Sequence, residues 1–340
     1  MDRPRMRPGG EFELIARLAE RIGESGVSGS EQLVLGIGDD AAVSVPSGAT
    51  ATSVDMLVDG VHFRRSTASS RLVGRKALSV ALSDLAAMGA ESGEAYVAIG
   101  IPPDLDEAGC LELYGGLAEV ASETGTALAG GDLSTSPVLA IAVMVVGHAP
   151  SPERLVRRAG ARPGHALAVT GELGGAAAGL LVLERPDLRE AIDDAAAEAL
   201  VQRQVDPTPR LATGAALAAA GAAAMIDLSD GLGADAEQLA AAGTAWMRIE
   251  LDALPVQQGV GEVAAAAGFD PLDLAAAAGE DYELLAAIPP ERVSQAAAAA
   301  TQTGTRLTVI GEVSRGEGVE LRGPDGGRRP VRGFDHLDAR

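Results

Sequence analysis

Apolar runs of strand length recur through this chain, and most of them lead into a carboxylate. LVLGIG precedes Asp39-Asp40, ATATSVDMLVDG carries Asp55, TALAGGDLS reaches Asp132, AAMIDLSD holds Asp227 and Asp230, and Glu280-Asp281 precede YELLAAI. Segments with helical spacing lie between them. They include EFELIARLAERI, residues 70–90 with Ser83 and Asp84 in their second half, LDEAGCLELYGGLAEVASETG and LATGAALAAAG. Short apolar runs alternating with helices predict layered α/β (α+β) architecture. VLAIAVMVVGHA predicts a long buried strand. A stretch rich in Pro and Arg, APSPERLVRRAGARPGHA, breaks the rhythm and predicts a boundary between residues 1–150 and 151–340. The length of 340 residues suits two domains, at ~100–200 residues each. Alanine tracts at 264–267, 275–278 and 296–300 favour helix but say little about the core.

Charge removes several classes of function. There are 48 acidic against 27 basic residues, a formal net charge of -21. Such a surface repels nucleic acid and anionic lipid, so neither is expected as a partner. Lys76 is the one lysine, and no G-x-x-x-x-G-K-[ST] occurs, which excludes a P-loop. No G-x-G-x-x-G follows the first strand, so a dinucleotide fold is not supported. Cys110, alone, excludes an internal disulfide and a cysteine-based metal cluster. With no apolar run of ~18–20 residues and no apolar segment behind the first arginines, the expected location is the cytoplasm.

The clustered acids point to a hard cation. Strand ends in an open α/β arrangement share one rim where ligands sit, and carboxylates gathered there repel unless a cation or proton intervenes. Any one of these aspartates fits a turn or helix cap; so many together do not. Oxygen donors without cysteine suit Mg²⁺, and several carboxylates suggest several ions alongside substrate phosphates. Gly36, Gly38, Gly130, Gly131, Gly231 and Gly279 accompany the acids. Glycine lets backbone come close to phosphate.

Seven segments then occur in order: GEFELIARL, GIGDDAAV, SVDMLVDGVHF, ALSVALSDLAAMGA, AGGDLS, IDLSDGL and GEDYEL. Together they resemble the thiamine-monophosphate kinase family, of the aminoimidazole-ribonucleotide-synthetase-like superfamily, over nearly the whole chain. The resemblance implies two α/β domains, with N-terminal sheets pairing across a homodimer and a C-terminal α/β sandwich. It implies transfer of the ATP γ-phosphate to thiamine monophosphate, giving thiamine diphosphate and ADP. Metal ligation is implied for Asp39, Asp40, Ser53, Val54, Asp55, Asp84, Asp132, Asp227 and Asp230, with only the backbone carbonyl available at Val54. Nucleotide contacts are implied for Tyr114, Gly131, Asp132, Arg157 and Ser229. Contacts to the thiamine phosphate are implied for His62, Glu280 or Asp281, and Phe334. The acceptor is already an ionised phosphate oxygen, so metal-assisted direct transfer needs no covalent intermediate and no strong base.

The chain departs from the family pattern in places. Val54 stands where Thr is usual, Gly174-Gly175-Ala176 where Gly-Asp-Ser is common, and Ala278 in place of a Gly. Of a basic proline segment, Arg203, Pro207, Pro209 and Arg210 remain, with Asp206 at a usual Arg. Two other activities compete. One is an ATP-dependent ligase like aminoimidazole-ribonucleotide synthetase, on the shared acidic motifs; the other is a non-catalytic thiamine-phosphate or nucleotide-binding module. DGVHF and GEDYEL favour the kinase over the first, and the full set of metal acids disfavours the second.

Overall fold

The computed structural model describes Leu14, Ile15, Arg17, Leu18, Glu20, residues 31–37 and residues 41–334. The chain divides into two compact units. One runs to Leu85 and resumes over Glu91–Pro152; the other comprises Ala86–Ala90 and everything from Glu153.

In the first unit a small hairpin, β1 (Leu33–Leu35) and β2 (Val43–Ser44), precedes a four-stranded sheet. That sheet contains β3 (Ala49–Val58), β4 (Glu91–Ile101), β5 (Ala127–Thr135) and β6 (Ala140–Ala149), in the order β3-β6-β4-β5. β6 runs antiparallel to both neighbours, and β4 pairs β5 in parallel. The helices are α1 (Ser70–Met88) and α2 (Glu107–Thr124). Reciprocal glycines set their crossing. A Cβ on Gly74 would stand 1.9 Å from Leu113 O, and one on Gly116 1.9 Å from Arg71 O. Only backbones without side chains at those points can touch. Arg71–Glu119 and Arg75–Glu123 ion pairs flank the contact. Leu14 and Leu18, part of the helix expected near the start, are buried.

Burial of β6 differs from the expected fully buried strand. Ile141, Val143 and Val145 are inaccessible, while Ala140, Ala142, Met144 and Val146 between them keep partial exposure. On neighbouring β3, Val54 is 63% and Met56 57% exposed. An antiparallel sheet can cover one face and leave the other bare. The apolar run of β6 therefore fills one packed face and one open face.

The second unit is a seven-stranded sheet in the order β13-β12-β9-β11-β7-β10-β8. The strands are β7 (Ala166–Thr170), β8 (Ala224–Asp227), β9 (Trp246–Glu250), β10 (Leu284–Ile288), β11 (Leu307–Ser314), β12 (Gly318–Arg322) and β13 (Arg328–Arg329). Pairing is antiparallel except for β12 with β9. Both faces of the central strands are covered. Leu167, Val169, Ile226 and Leu285 enter one core, and Ala168, Met225, Leu284 and Ala286 the other. The helices are α3 (Gly175–Glu184), α4 (Asp194–Val205), α5 (Leu211–Ala220), α6 (Leu232–Gly243), α7 (Val260–Ala267), α8 (Pro271–Ala277) and α9 (Val293–Gln302). Each alanine tract puts part of its length into the core: Ala264, Ala275, Ala276, Ala296 and Ala300 are buried, while Ala265, Ala266 and Ala298 are exposed. Small side chains there let helix backbones lie close to their neighbours.

Candidate functional site

Two acids of the first unit, Asp55 and Asp132, lie inside strands, not at their ends as an open α/β rim would require. Asp55 is within β3 and Asp132 within β5. Alternation in β3 points Ser53 and Asp55 away from exposed Val54 and Met56. Ser53 Oγ hydrogen-bonds Asp84 Oδ2 on α1. Asp55 lies close enough to Asp84 to feel its charge: burial, then repulsion from Asp84, pushes the Asp55 carboxyl up to about 6. Two carboxylates and a hydroxyl are thus crowded together.

A second group forms around β5. A Cβ on Gly131 would stand 2.0 Å from Val97 O, so glycine is required where the chain closes on β4. Tyr114 of α2 is buried, and its hydroxyl is raised by burial, then by the charges of Cys110 and Asp132. Cys110, on the same helix, is buried, with its thiol pushed up to about 11.

His62 sits in a turn after β3, where Gly60 takes φ 85° and its N–H donates to Phe63 O at 2.8 Å. His62 Nδ1 accepts from Val58 N–H at 3.0 Å. The buried Lys76 donates to His62 O at 3.1 Å. The one lysine thus holds this turn from α1. No local pattern in the sequence announces that role.

In the second unit two loops are joined by backbone. Asp227 ends β8, and Ser229, Asp230 and Gly231 form the turn into α6. Against this turn lies the 278–283 loop. Glu280 N donates to Ser229 O and Tyr282 N to Leu228 O, both at 2.9 Å, and Leu228 N returns a bond to Glu283 O at 2.8 Å. Phe334 N donates to Asp230 O at 2.9 Å, with the ring side chain exposed. Asp281 is buried, and its carboxylate accepts from Gly174 N at 2.7 Å and Ala176 N at 3.2 Å. Asp281 thereby caps α3, and Gly174 at φ 81° shapes the turn. Burial raises the Asp281 carboxyl to about 6 although Arg203 and the two amides oppose this. Glu280 is only partly buried and accepts from Gln204 Nε2 at 2.6 Å.

Arg157 is exposed at the start of a short 3-10 turn, Arg158–Gly160. Asp39 and Asp40 lie outside the described residues. Among the described residues no three His, Cys, Asp or Glu side chains form a group able to hold a metal ion.

Asp235 escapes a motif-based reading. It sits in the first turn of α6, buried, and its Oδ2 accepts from Asp230 N and Gly231 N, both at 3.1 Å. Its carboxyl is pushed up to about 8 by burial, then by Asp227 and Asp230, against the lowering effect of those two amides. A carboxyl raised above its unfolded value contributes stability that is full below that value and is lost as pH rises through the folded one. For Asp235 the window runs from 3.8 to about 8. In EDTA, melting temperature should therefore fall toward pH 9. Asp235→Asn should flatten that slope and melt several degrees higher at pH 9, as ~1 kcal/mol moves a domain this size by ~2–4 °C. Parallel melting curves for both proteins across pH 6–9 would remove this account of Asp235.

Comparison with known proteins places these loops in a family. The AIR synthase related protein N-terminal domain matches residues 38–149, and its C-terminal domain matches residues 162–323. Thiamine-monophosphate kinase of Halobacterium salinarum is 38% identical over 292 residues, covering 86% of this chain and 92% of that protein. The crystal structure of thiamine-monophosphate kinase from Stenotrophomonas maltophilia superposes with a TM-score of 0.81 at 32% identity, covering 94% of this chain and 98% of that one. AaThiL complexed with AMPPCP and TMP gives a TM-score of 0.76 at 33% identity, covering 96% and 97%. Two family domains spanning most of the sequence, and relatives above 30% identity over nearly their full length, establish that the chain belongs to the thiamine-monophosphate kinase family of AIR synthase related proteins.

Proposed function

We propose that this protein transfers the γ-phosphoryl group of ATP directly to thiamine monophosphate, giving thiamine diphosphate and ADP. The observation that carries the reading is the Ser53–Asp55–Asp84 group, two mutually repelling carboxylates with a hydroxyl bonded to one of them, in a chain similar to thiamine-monophosphate kinases over most of its length. A carboxyl raised by burial and by a neighbouring carboxylate, among hard oxygen donors, is the chemistry that Mg²⁺ relieves, so the donor types present suit that ion. Ser53, the Val54 carbonyl, Asp55, Asp84, Asp132, Asp227 and Asp230, with Asp39 and Asp40, would hold several Mg²⁺ ions. Bound there, Mg²⁺ neutralises phosphate charge and aligns donor with acceptor.

Tyr114, Gly131, Asp132, Arg157 and Ser229 bind the nucleotide in this reading. His62, Glu280 and Phe334 meet thiamine monophosphate. Glu280 is preferred to Asp281, because both Asp281 oxygens are engaged by α3 amides and the side chain is buried. The division of labour follows the chain: residues 1–150 dimerise and bind ATP and Mg²⁺, and residues 151–340 add nucleotide and substrate contacts. With γ-labelled ATP and thiamine monophosphate, label should appear in thiamine diphosphate and none in protein. A stoichiometric phosphoprotein formed from ATP alone would contradict direct transfer. The buried thiol of Cys110, at about 11, supports that expectation.

The bare face of the four-stranded sheet supports a homodimer. Val54 and Met56 are exposed on it, and a second copy would cover them. Met56→Glu places a charge in that interface and should convert a dimer into a 34.2 kDa monomer in sedimentation; a dimer unchanged by Met56→Glu would refute this face. Among the described residues no helix is long and apolar enough to cross a membrane, and we place the enzyme in the cytoplasm.

A further inference from the structure

The loop that carries Glu280 has a backbone conformation that side chains resist. Glu280 takes φ 69° and Tyr282 φ 49°. L-residues enter this left-handed region only where the surroundings over-determine it. The surroundings here converge on Glu283, whose side chain is completely buried. Thr170 Oγ1 donates to Glu283 Oε2 at 2.6 Å while accepting from Leu284 N at 2.8 Å. Arg210 Nε donates to Oε2 at 2.9 Å, and Arg203 pairs with Oε1. Arg203 Nη2 also donates to Asp281 O at 2.8 Å. One guanidinium thus grips the loop on both sides of Tyr282. Its neighbour Gln204 holds Glu280 itself at 2.6 Å. A Cβ on Gly171 would stand 2.1 Å from Glu283 Oε1, so the preceding strand end is shaped around the carboxylate.

A buried ion cluster is weak evidence for stability, since apolar isosteres often serve as well; its attested use is to specify one arrangement. Burial alone would raise the Glu283 carboxyl, and the two arginines overturn this and hold it below the ordinary range. The cluster is therefore an ionised clamp.

We propose that Glu283, held by Arg203 and Arg210, is a positioning residue for the acceptor: it fixes Glu280 in the left-handed conformation from which it meets thiamine monophosphate. This rests on the phosphotransfer reading above. Glu283→Gln keeps the shape and removes the charge. In the full-length enzyme it should raise the thiamine monophosphate KM at least ~tenfold, as expected for a displaced contact, with the ATP KM within about twofold. Hydrogen exchange should show Glu280 and Tyr282 amides losing protection while β8 amides keep theirs. Should Glu283→Gln fail to fold, Arg210→Gln, at the more accessible edge of the cluster, should shift both readouts in the same direction. Equal rises in both KM values, an unchanged thiamine monophosphate KM, or unchanged loop protection would overturn the proposal. A wild-type enzyme without thiamine monophosphate turnover, whose loop is still deprotected by Glu283→Gln, would overturn the substrate assignment and support the clamp.

Discussion

Asp84→Asn should lower kcat by about a thousandfold and leave the protein folded. Asparagine keeps the shape of the side chain and a partner for Ser53 Oγ. It removes the Asp84 charge, which together with the larger effect of burial pushes the Asp55 carboxyl to about 6. Without Mg²⁺ that is a relief, so melting temperature should hold or rise. With substrates it is a loss, because charge that gathers cations around transferring phosphate stabilises the transition state by several kcal/mol, and ~4 kcal/mol is about three powers of ten. Asp132→Asn should act in the same direction. Stopped assays for ADP, beside thermal melts in EDTA, check both halves. A kcat near wild type in both variants would remove the metal assignment, and a collapsed fold would make Asp84 structural.

Gly279→Ala should damage stability and catalysis together. The added methyl would stand 2.1 Å from Ser229 O and 3.1 Å from Asp230 Cα. Both obstacles are backbone, so the two loops must part. That breaks the Glu280 N–Ser229 O and Tyr282 N–Leu228 O bonds, each 2.9 Å. Overpacking of this kind costs ~1–3 kcal/mol, or a fall of roughly 2–12 °C in melting temperature. A displacement near 1 Å at a reacting centre costs about a hundredfold in kcat/KM. Ala278→Gly is the control. Ala278 has φ −88° and ψ 141°, ordinary extended backbone, so alanine sits there without strain although the family usually has glycine. Near-normal activity in Gly279→Ala, or a large loss in Ala278→Gly, would refute the loop geometry.

The contrast between Gly279 and Ala278 marks how far the sequence could be read. Elements with a clean local period were legible: α1, α2, β3, β10, and the turn between Asp227 and α6. So were the acids, because a carboxylate among apolar residues is conspicuous wherever it falls. Their setting was not. Asp55 and Asp132 project from within strands, and nothing in the linear pattern tells a strand's middle from its end. The apolar run of β6 gave no sign that alternate residues would remain half exposed, since its outward positions, Ala140, Ala142, Met144 and Val146, are as apolar as its inward ones. Residues that hold the site from behind were also missed. Glu283 meets Arg203 and Arg210 across 80 and 73 positions, and Lys76 reaches His62 across 14. Such pairs have no period. Among the departures, Gly174-Gly175-Ala176 finds an explanation only in three dimensions, where Asp281 caps the helix that this tripeptide begins.

The central claim is the identity of the acceptor. The most direct measurement is steady-state ADP release by the wild-type protein, with thiamine monophosphate and with an aminoimidazole-ribonucleotide precursor as alternative acceptors, each in Mg²⁺ and in EDTA. The account predicts ADP release with thiamine monophosphate and Mg²⁺, matched by an equal amount of thiamine diphosphate, and none in EDTA or with the precursor. Release driven by the precursor, or binding of thiamine monophosphate without any ADP formed, would contradict it.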